Sequence, residues 1–406
     1  MRHQIVLKRW LGVVGNVLDH YDRALYAFLA PFLAPLFFPH ADPVYSLLAS
    51  YALLPLGAVA RFLGAIFFSW LGDSVSYRTL LSMTLIGMAV ATGAMGFLPT
   101  WHEAGWISPV LLGLCRIAQN FFAAGKQAAG LLFVLEGIDA KRWGWIGSLF
   151  DACGIVGILA ASGAALLCGQ EHWRGLFLLG SLSGVVGMCL HDRHAVVART
   201  QMPSRWERRD IGSIFSIACV SAFSHANYDV LSTFLNGYLP LVSDVNAHDA
   251  LSCNTVLLAL DVCLLPIIGY MTLRVAKEYL MFTALLFSLV FTIPLFSLLE
   301  GGSLWVASAV RISMMIFGVI LAAPFYSWAI QLARPERRLW IYSLGSSFGG
   351  RLLAAPATVM GFWLYRKTGW VASPALLIVF YAGLAFSSVL FQFVKQNQRL
   401  ERSKSV

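Results

Sequence analysis

Charge is what this chain has least of. Only 12% of its 406 residues are Asp, Glu, Lys or Arg, whereas 58% are hydrophobic. A soluble domain carries about twice that share of charge. A water-facing surface cannot be built from this composition, and the mean hydropathy of +0.72 agrees. Alternating apolar and polar strands are missing too, which excludes a transmembrane barrel. The seven cysteines lie in or beside apolar runs without paired spacing, so neither a disulfide framework nor a metal site is expected. Histidines occur singly, without metal-ligand spacing. No Gly-Lys-Ser/Thr phosphate loop is present, which disfavours ATP-driven work, and no enzyme signature or cofactor motif stands out. A cleavable signal peptide is not expected either, because the first apolar run is too long and too polar.

Long apolar runs are what the chain does have. About twenty apolar residues span a bilayer as a helix. The spacing predicts an all-α integral membrane protein of twelve transmembrane helices over 10–38, 45–69, 79–98, 107–135, 144–168, 174–190, 211–242, 251–273, 279–299, 303–332, 339–365 and 372–395. Residues 191–210 form the one plausible linker. They separate a six-helix half, 1–190, from a second, 211–395, with a tail at 396–406. Most Lys and Arg side chains fall in loops on the amino-terminal side of the membrane, among them Arg78, Arg142, Arg208, Arg274, Arg337 and Lys395. That bias places both termini in the cytoplasm. It also accounts for the net charge of +9, so nucleic-acid binding need not be invoked.

The halves repeat. At an offset of 195 residues, Trp145-Ile146-Gly147-Ser148-Leu149 falls on Trp340-Ile341-Tyr342-Ser343-Leu344. The same offset brings Arg116-Ile117 onto Arg311-Ile312, Arg142 onto Arg337 and Gly154 onto Gly349. A looser echo sets Tyr21-Asp22 against Tyr228-Asp229. Two six-helix pseudo-repeats about an axis along the membrane normal are the architecture of major facilitator transporters, in which substrate sits between the halves near the midplane.

The segment Gly15 to Pro43 resembles the metabolite:proton symporter branch of that superfamily. The motif residues are Gly15-Asn16, Asp19, Tyr21-Asp22, Tyr26, Phe37-Phe38-Pro39 and Asp42-Pro43. The likeness continues through Ala58 to Asp73, Arg116-Ile117-Ala118-Gln119, Glu136, Ser148 to Asp151, Trp173-Arg174, Ala323-Pro324 and Ser343-Leu344-Gly345. It covers nearly the whole chain and is strongest before residue 175. Members of the branch carry betaine and proline, citrate, shikimate or 2-oxoglutarate with protons. The resemblance implies a monomeric, multi-pass protein of the bacterial inner membrane, with a small polar metabolite and protons as partners. Three departures stand out. The loop after the second span keeps Gly72 and Asp73 but loses most of its basic run before Arg78. Its counterpart has Leu273 where an acid belongs, beside Arg274. The branch's Gly-Gly-Glu in the fourth span is here Ala124-Gly125-Lys126.

Intramembrane charges are costly and call for partners or roles. Asp19, Asp22 and Tyr26 lie three and four residues apart on one helical face. Arg116, Gln119, Ala123 and Lys126 form a polar stripe on the fourth span. The facing stripes make Asp22 or Asp19 the expected proton carrier and Arg116 its counter-ion; a permanent ion pair is the alternative. Lys126 either holds an anionic substrate group or reaches toward the interface to neutralise Glu136 or Asp151, with a shallow position favouring the second. Asn16, Tyr26, Gln119, Lys126, Asp229, Arg311 and Arg351 are the expected substrate contacts. Asp229 or Asp261 is expected to neutralise Arg311. Asp73, Arg78, Asp151 and Arg274 are expected at the gates. The leading expectation is proton-coupled symport of a small carboxylate or zwitterion. A uniporter, exchanger or exporter on the same fold stays open, as does a non-transporting membrane receptor.

Overall fold

A computed structural model describes residues 2–39, 46, 50, 53–191 and 205–404. The motif pair Asp42-Pro43 and most of the expected linker lie outside the described residues. Every regular element among the described residues is helical. The chain groups into two compact units, Met1–Gly137 with Phe150–Ser204, and Ile138–Leu149 with Arg205–Val406.

In the first unit, α1 (Arg2–Phe37) stops two residues before Pro39, whose ring cannot continue a helix. Next come α2 (Leu53–Leu71), α3 (Tyr77–Gly96) and α4 (Ile107–Leu135). The Ser76 hydroxyl caps α3 by accepting from the Thr79 amide at 3.2 Å. The helix α5 (Trp143–Gly180) runs through both the fifth and the start of the sixth expected spans, and non-helical torsions at His172 kink it between them. A short α6 (Ser183–Leu190) completes this unit.

In the second unit, α7 (Arg208–Asp229) passes through a π-turn at Val230–Phe234 into α8 (Leu235–Val242). Then follow α9 (Ala247–Met271), α10 (Lys277–Ser297) and α11 (Leu304–Leu332). After α12 (Arg338–Ser347), a second π-turn at Phe348–Leu353 precedes α13 (Ala357–Thr368) and α14 (Ala375–Lys404). The spans expected over 211–242 and 339–365 are therefore not uninterrupted α-helices. The wider turns begin directly after Asp229 in one case and enclose Gly349, Gly350 and Arg351 in the other. Single π-turns of this kind frequently mark functional positions.

Eight of the described helices are long and apolar enough to cross a membrane. Their outward faces carry large apolar side chains such as Val90, Leu166, Leu167 and Trp305, a surface suited to lipid rather than water. The chain is thus an all-helical, multi-pass membrane protein. Of the helices outside that set, α1 carries Asp19, Asp22 and Arg23, and two pairs are interrupted by π-turns.

Glycines set two close helix contacts. A Cβ on Gly157 of α5 would lie 2.1 Å from the Val17 carbonyl oxygen of α1, and one on Gly154 would meet the His20 ring at 2.8 Å. In the second unit a Cβ on Gly349 would lie 2.0 Å from the Ala218 carbonyl oxygen of α7, and one on Gly350 would reach His225 at 2.5 Å. Gly154 and Gly349 are the pair brought together by the 195-residue offset; each lies against the opening helix of its unit, Gly154 on the His20 ring and Gly349 on the Ala218 backbone. Small residues permit such approach where lipid supplies no hydrophobic drive.

Residues Ile138–Leu149 precede the expected linker yet make their contacts in the second unit. There Arg338 stacks over Trp143 at 5.0 Å, and Trp145 meets Tyr270 edge-on at 6.1 Å. The end of the linker is fastened in the same unit. Arg334, just beyond α11, binds Glu207 and Asp210 at 2.5 Å each and donates to the Arg205 carbonyl at 2.9 Å. Burial would raise the Asp210 carboxyl, but the Arg334 hydrogen bonds and charge outweigh it and hold the group below its ordinary range.

Candidate functional site

The first unit buries a charged cluster between α1 and α4. Asp19, fully buried, receives Lys126 Nζ at 2.8 Å and Arg23 Nη2 at 2.8 Å on the same carboxylate oxygen, with the His20 ring 3.6 Å away. Lys126 is itself fully buried and also donates to Asn16 Oδ1 at 3.1 Å. Asn16 in turn donates to the Phe150 carbonyl at 2.6 Å, which ties α1 to α5. The spacing explains the arrangement. Asn16, Asp19 and Arg23 follow one another at three and four residues, so one face of α1 offers an amide, an acid and a cation in line.

A second polar line begins at Asp22. Its Oδ2 accepts from the Thr92 hydroxyl at 3.4 Å, while Oδ1 is buried without a hydrogen-bond partner. That oxygen lies against Gly180, where a Cβ would come within 2.0 Å of it. Gln119 donates to Thr92 Oγ1 at 2.8 Å and accepts from Arg116 Nη1 at 2.5 Å. The Arg116 guanidinium then lies over the Tyr26 ring at 4.1 Å, and the Tyr26 hydroxyl donates to the Ser50 carbonyl at 2.9 Å. The line therefore runs Asp22–Thr92–Gln119–Arg116–Tyr26–Ser50.

Two sequence expectations change here. Arg116 is not the counter-ion of Asp19 or Asp22: its polar partner is a neutral amide, it lies over an aromatic face, and it forms no ion pair among the described residues. Lys126 is fully buried, with its ammonium on Asp19 and Asn16. Three and four residues of α1 separate Asp22 from Asp19 and Tyr26, enough for each to meet a different level of α4. Asp19 lies beside the Lys126 turn, whereas Tyr26 lies beside the Arg116 turn, ten residues earlier along the antiparallel partner.

In the second unit Arg311 is fully buried and donates to the carbonyls of Ala250 at 2.8 Å and Leu231 at 2.7 Å. It also donates to the side-chain oxygens of Asn236 at 2.8 Å and Asn254 at 3.0 Å. Neither Asp229 nor Asp261 neutralises it, because four neutral oxygens take up its fork. The Leu231 carbonyl belongs to the π-turn, so the helix interruption has a direct structural use. Asp229 has Arg351 as its charged neighbour; the acid directly precedes the first π-turn and the guanidinium lies within the second.

The residues expected at the gates are spread over helix ends. Asp73 lies in the turn after α2, Arg78 in the first turn of α3, and Asp151 on α5. Arg274, in the turn after α9, is exposed and stands over the Tyr270 ring at 5.8 Å. Thr92, Gly180, Asn254 and the buried Arg61, which donates to Gln127 Oε1 at 2.6 Å, carry contacts that sequence reading passed over. Thr92 sits in a span with no charge to attract notice, and Arg61 lies in the middle of the apolar α2.

No family model matches the chain. A proline/betaine transporter of Salmonella typhimurium is 32% identical over 192 residues, a match covering 45% of this chain and 38% of that protein. The matched region thus spans about two fifths of that relative. A glycine betaine/proline/ectoine/pipecolic acid transporter of Dickeya dadantii is 24% identical over 96% of this chain and 83% of its own. Among solved structures, the Escherichia coli fucose:proton symporter superposes with a TM-score of 0.70 at 15% identity, covering 95% of this chain and 98% of that one. The likeness to the metabolite:proton symporter branch, first carried by Gly15 to Pro43, therefore extends along the chain, which has the fold of the major facilitator superfamily transporters.

Proposed function

We propose that the chain is a secondary transporter that moves a small carboxylate-bearing metabolite, anionic or zwitterionic, together with protons. In this reading twelve helices span a bacterial inner membrane, both termini are cytoplasmic, and the chain works as a monomer by alternating access. Relatives named as proline/betaine transporters support the substrate class, and a structural neighbour named as a proton symporter supports the fold's capacity for coupling.

The observation that carries the reading is the contrast between two acids one helical turn apart. Asp19 is held by two cations and stays an ion. Asp22 is fully buried with one long hydroxyl contact and no cation, an environment that accommodates the neutral acid. A proton on Asp22 removes the need for a partner. Its loss creates a buried charge that the Thr92–Gln119–Arg116 line can reach only by rearranging. Binding of a substrate carboxylate to Arg116 and protonation of Asp22 are thereby coupled through one chain of hydrogen bonds.

Purified protein in liposomes tests this directly. Uptake of labelled carboxylates and betaines is expected to rise several-fold with an inwardly directed proton gradient. Uptake indifferent to the gradient would refute symport, and uptake unchanged in Asp22→Asn and Arg116→Gln would refute the assignment of these residues.

A further inference from the structure

We propose that the site in the first unit selects an organic anion and rejects zwitterions bearing an ammonium group, so that this chain departs in substrate class from the betaine and proline carriers it resembles. The inference rests on the transporter reading above and narrows its substrate.

A quaternary or protonated ammonium is recognised in two ways, by a carboxylate or by the face of an aromatic ring. The polar cluster of the first unit contains both features, and the protein's own cations already occupy them. Lys126 and Arg23 both bind Asp19 at 2.8 Å. Arg116 covers the face of Tyr26 at 4.1 Å. The remaining acid, Asp22, has its free oxygen pressed against the Gly180 backbone, where a Cβ would come within 2.0 Å. No space at that oxygen admits a trimethylammonium group.

Charge balance points the same way. Among the described residues of the two polar lines, the cations are Arg23, Lys126 and Arg116, and the acids are Asp19 and Asp22. The cluster is positive even with every acid ionised, and more so with Asp22 neutral. Arg116 is 4% exposed, and among the described residues its side chain donates to an amide oxygen alone, with Nε making no hydrogen bond. A buried guanidinium without a carboxylate is a vacancy for one, because its planar fork matches that group. Lys126 therefore acts as a specificity-determining residue. Its ammonium stands at the acid that a substrate ammonium would otherwise engage.

The test is equilibrium binding to the purified full chain with three labelled probes, succinate, glycine betaine and proline, alongside gradient-driven uptake in liposomes. Succinate is expected to bind saturably and at least tenfold more tightly than either zwitterion. Lys126→Gln is expected to narrow that preference at least tenfold, and Lys126→Arg to keep it. Equal or tighter binding of betaine or proline, saturable binding of none of the three, or an unchanged preference in Lys126→Gln would each overturn the inference. The two readings separate cleanly. Succinate binding without a response to the proton gradient leaves the selectivity standing and removes symport, whereas gradient-driven betaine uptake does the reverse.

Discussion

Lys126 Nζ stands 2.8 Å from Asp19 Oδ2, and both side chains are fully buried. The pair joins α4 to α1 at the position where the branch that the chain resembles has the Glu of its Gly-Gly-Glu. A buried pair of this kind contributes little net stability, yet breaking it leaves a stranded charge that costs about 3–5 kcal/mol. The two partners are not equivalent. Asp19 has Arg23 in reserve, whereas Lys126 has, among the described residues, only the Asn16 amide oxygen. Asp19→Asn is therefore expected to lower the thermal unfolding temperature in detergent more than Lys126→Met, and the double variant to recover part of the loss. Equal losses in the single variants would contradict this account.

Asp22→Asn fixes the neutral state of the acid while keeping its shape and its contact with Thr92. Substrate binding and exchange across the liposome membrane are expected to survive in this variant. Accumulation driven by a proton gradient is expected to fall at least tenfold. Counterflow measured beside gradient-driven uptake distinguishes this outcome from simple misfolding, which abolishes both.

Gly349→Ala would place a methyl group 2.0 Å from the Ala218 carbonyl oxygen, and Gly157→Ala one 2.1 Å from that of Val17. Backbone atoms cannot rotate away, so the second π-turn must separate from α7, or α5 from α1. Each substitution is expected to destabilise its unit by about 1–3 kcal/mol. Gly163→Ala, where nothing stands within 4 Å of the new methyl, serves as the control and is expected to be silent in the same melting assay.

Arg334 and Asp210 give a pH dependence outside the membrane. Pairing holds the Asp210 carboxyl below its ordinary value in the folded protein. A depressed folded value contributes stability above the unfolded value, which is lost as pH falls through the folded one. Wild type is therefore expected to be more stable than Asp210→Asn near neutral pH, with the difference shrinking below about pH 4 as the unfolded acid (about 3.9) begins to protonate. Unfolding curves of the two proteins against pH check this; a constant difference down to pH 2 would refute it.

Arg311→Lys tests the second unit. Four oxygens from α9, the π-turn and Asn236 accept from one planar fork, and an ammonium has three donors without that geometry. The variant is expected to lose stability although its charge is kept. Hydrogen exchange at the π-turn Val230–Phe234 should rise, since the Leu231 carbonyl loses its donor.

The major facilitator fold and the identity of the polar residues were legible in the chain itself. Apolar runs fix helices because a bilayer leaves backbone groups no other partner, and the stretches read as 107–135 and 303–332 became α4 and α11 within a residue. The 195-residue offset aligned Gly154 with Gly349, and each meets the opening helix of its unit, one on a side chain and the other on backbone. Periodicity also put Asp19, Asp22 and Tyr26 on one face of α1. What it could not give was the level at which each meets α4, because a helix face constrains angle and not height along a partner. Only the tertiary structure assigned Lys126 to Asp19, left Arg116 to Gln119 and the Tyr26 ring, and isolated Asp22 against Thr92 and Gly180. The π-turns escaped for a related reason. The first of them places the Leu231 carbonyl against Arg311, a contact with a helix some eighty residues away.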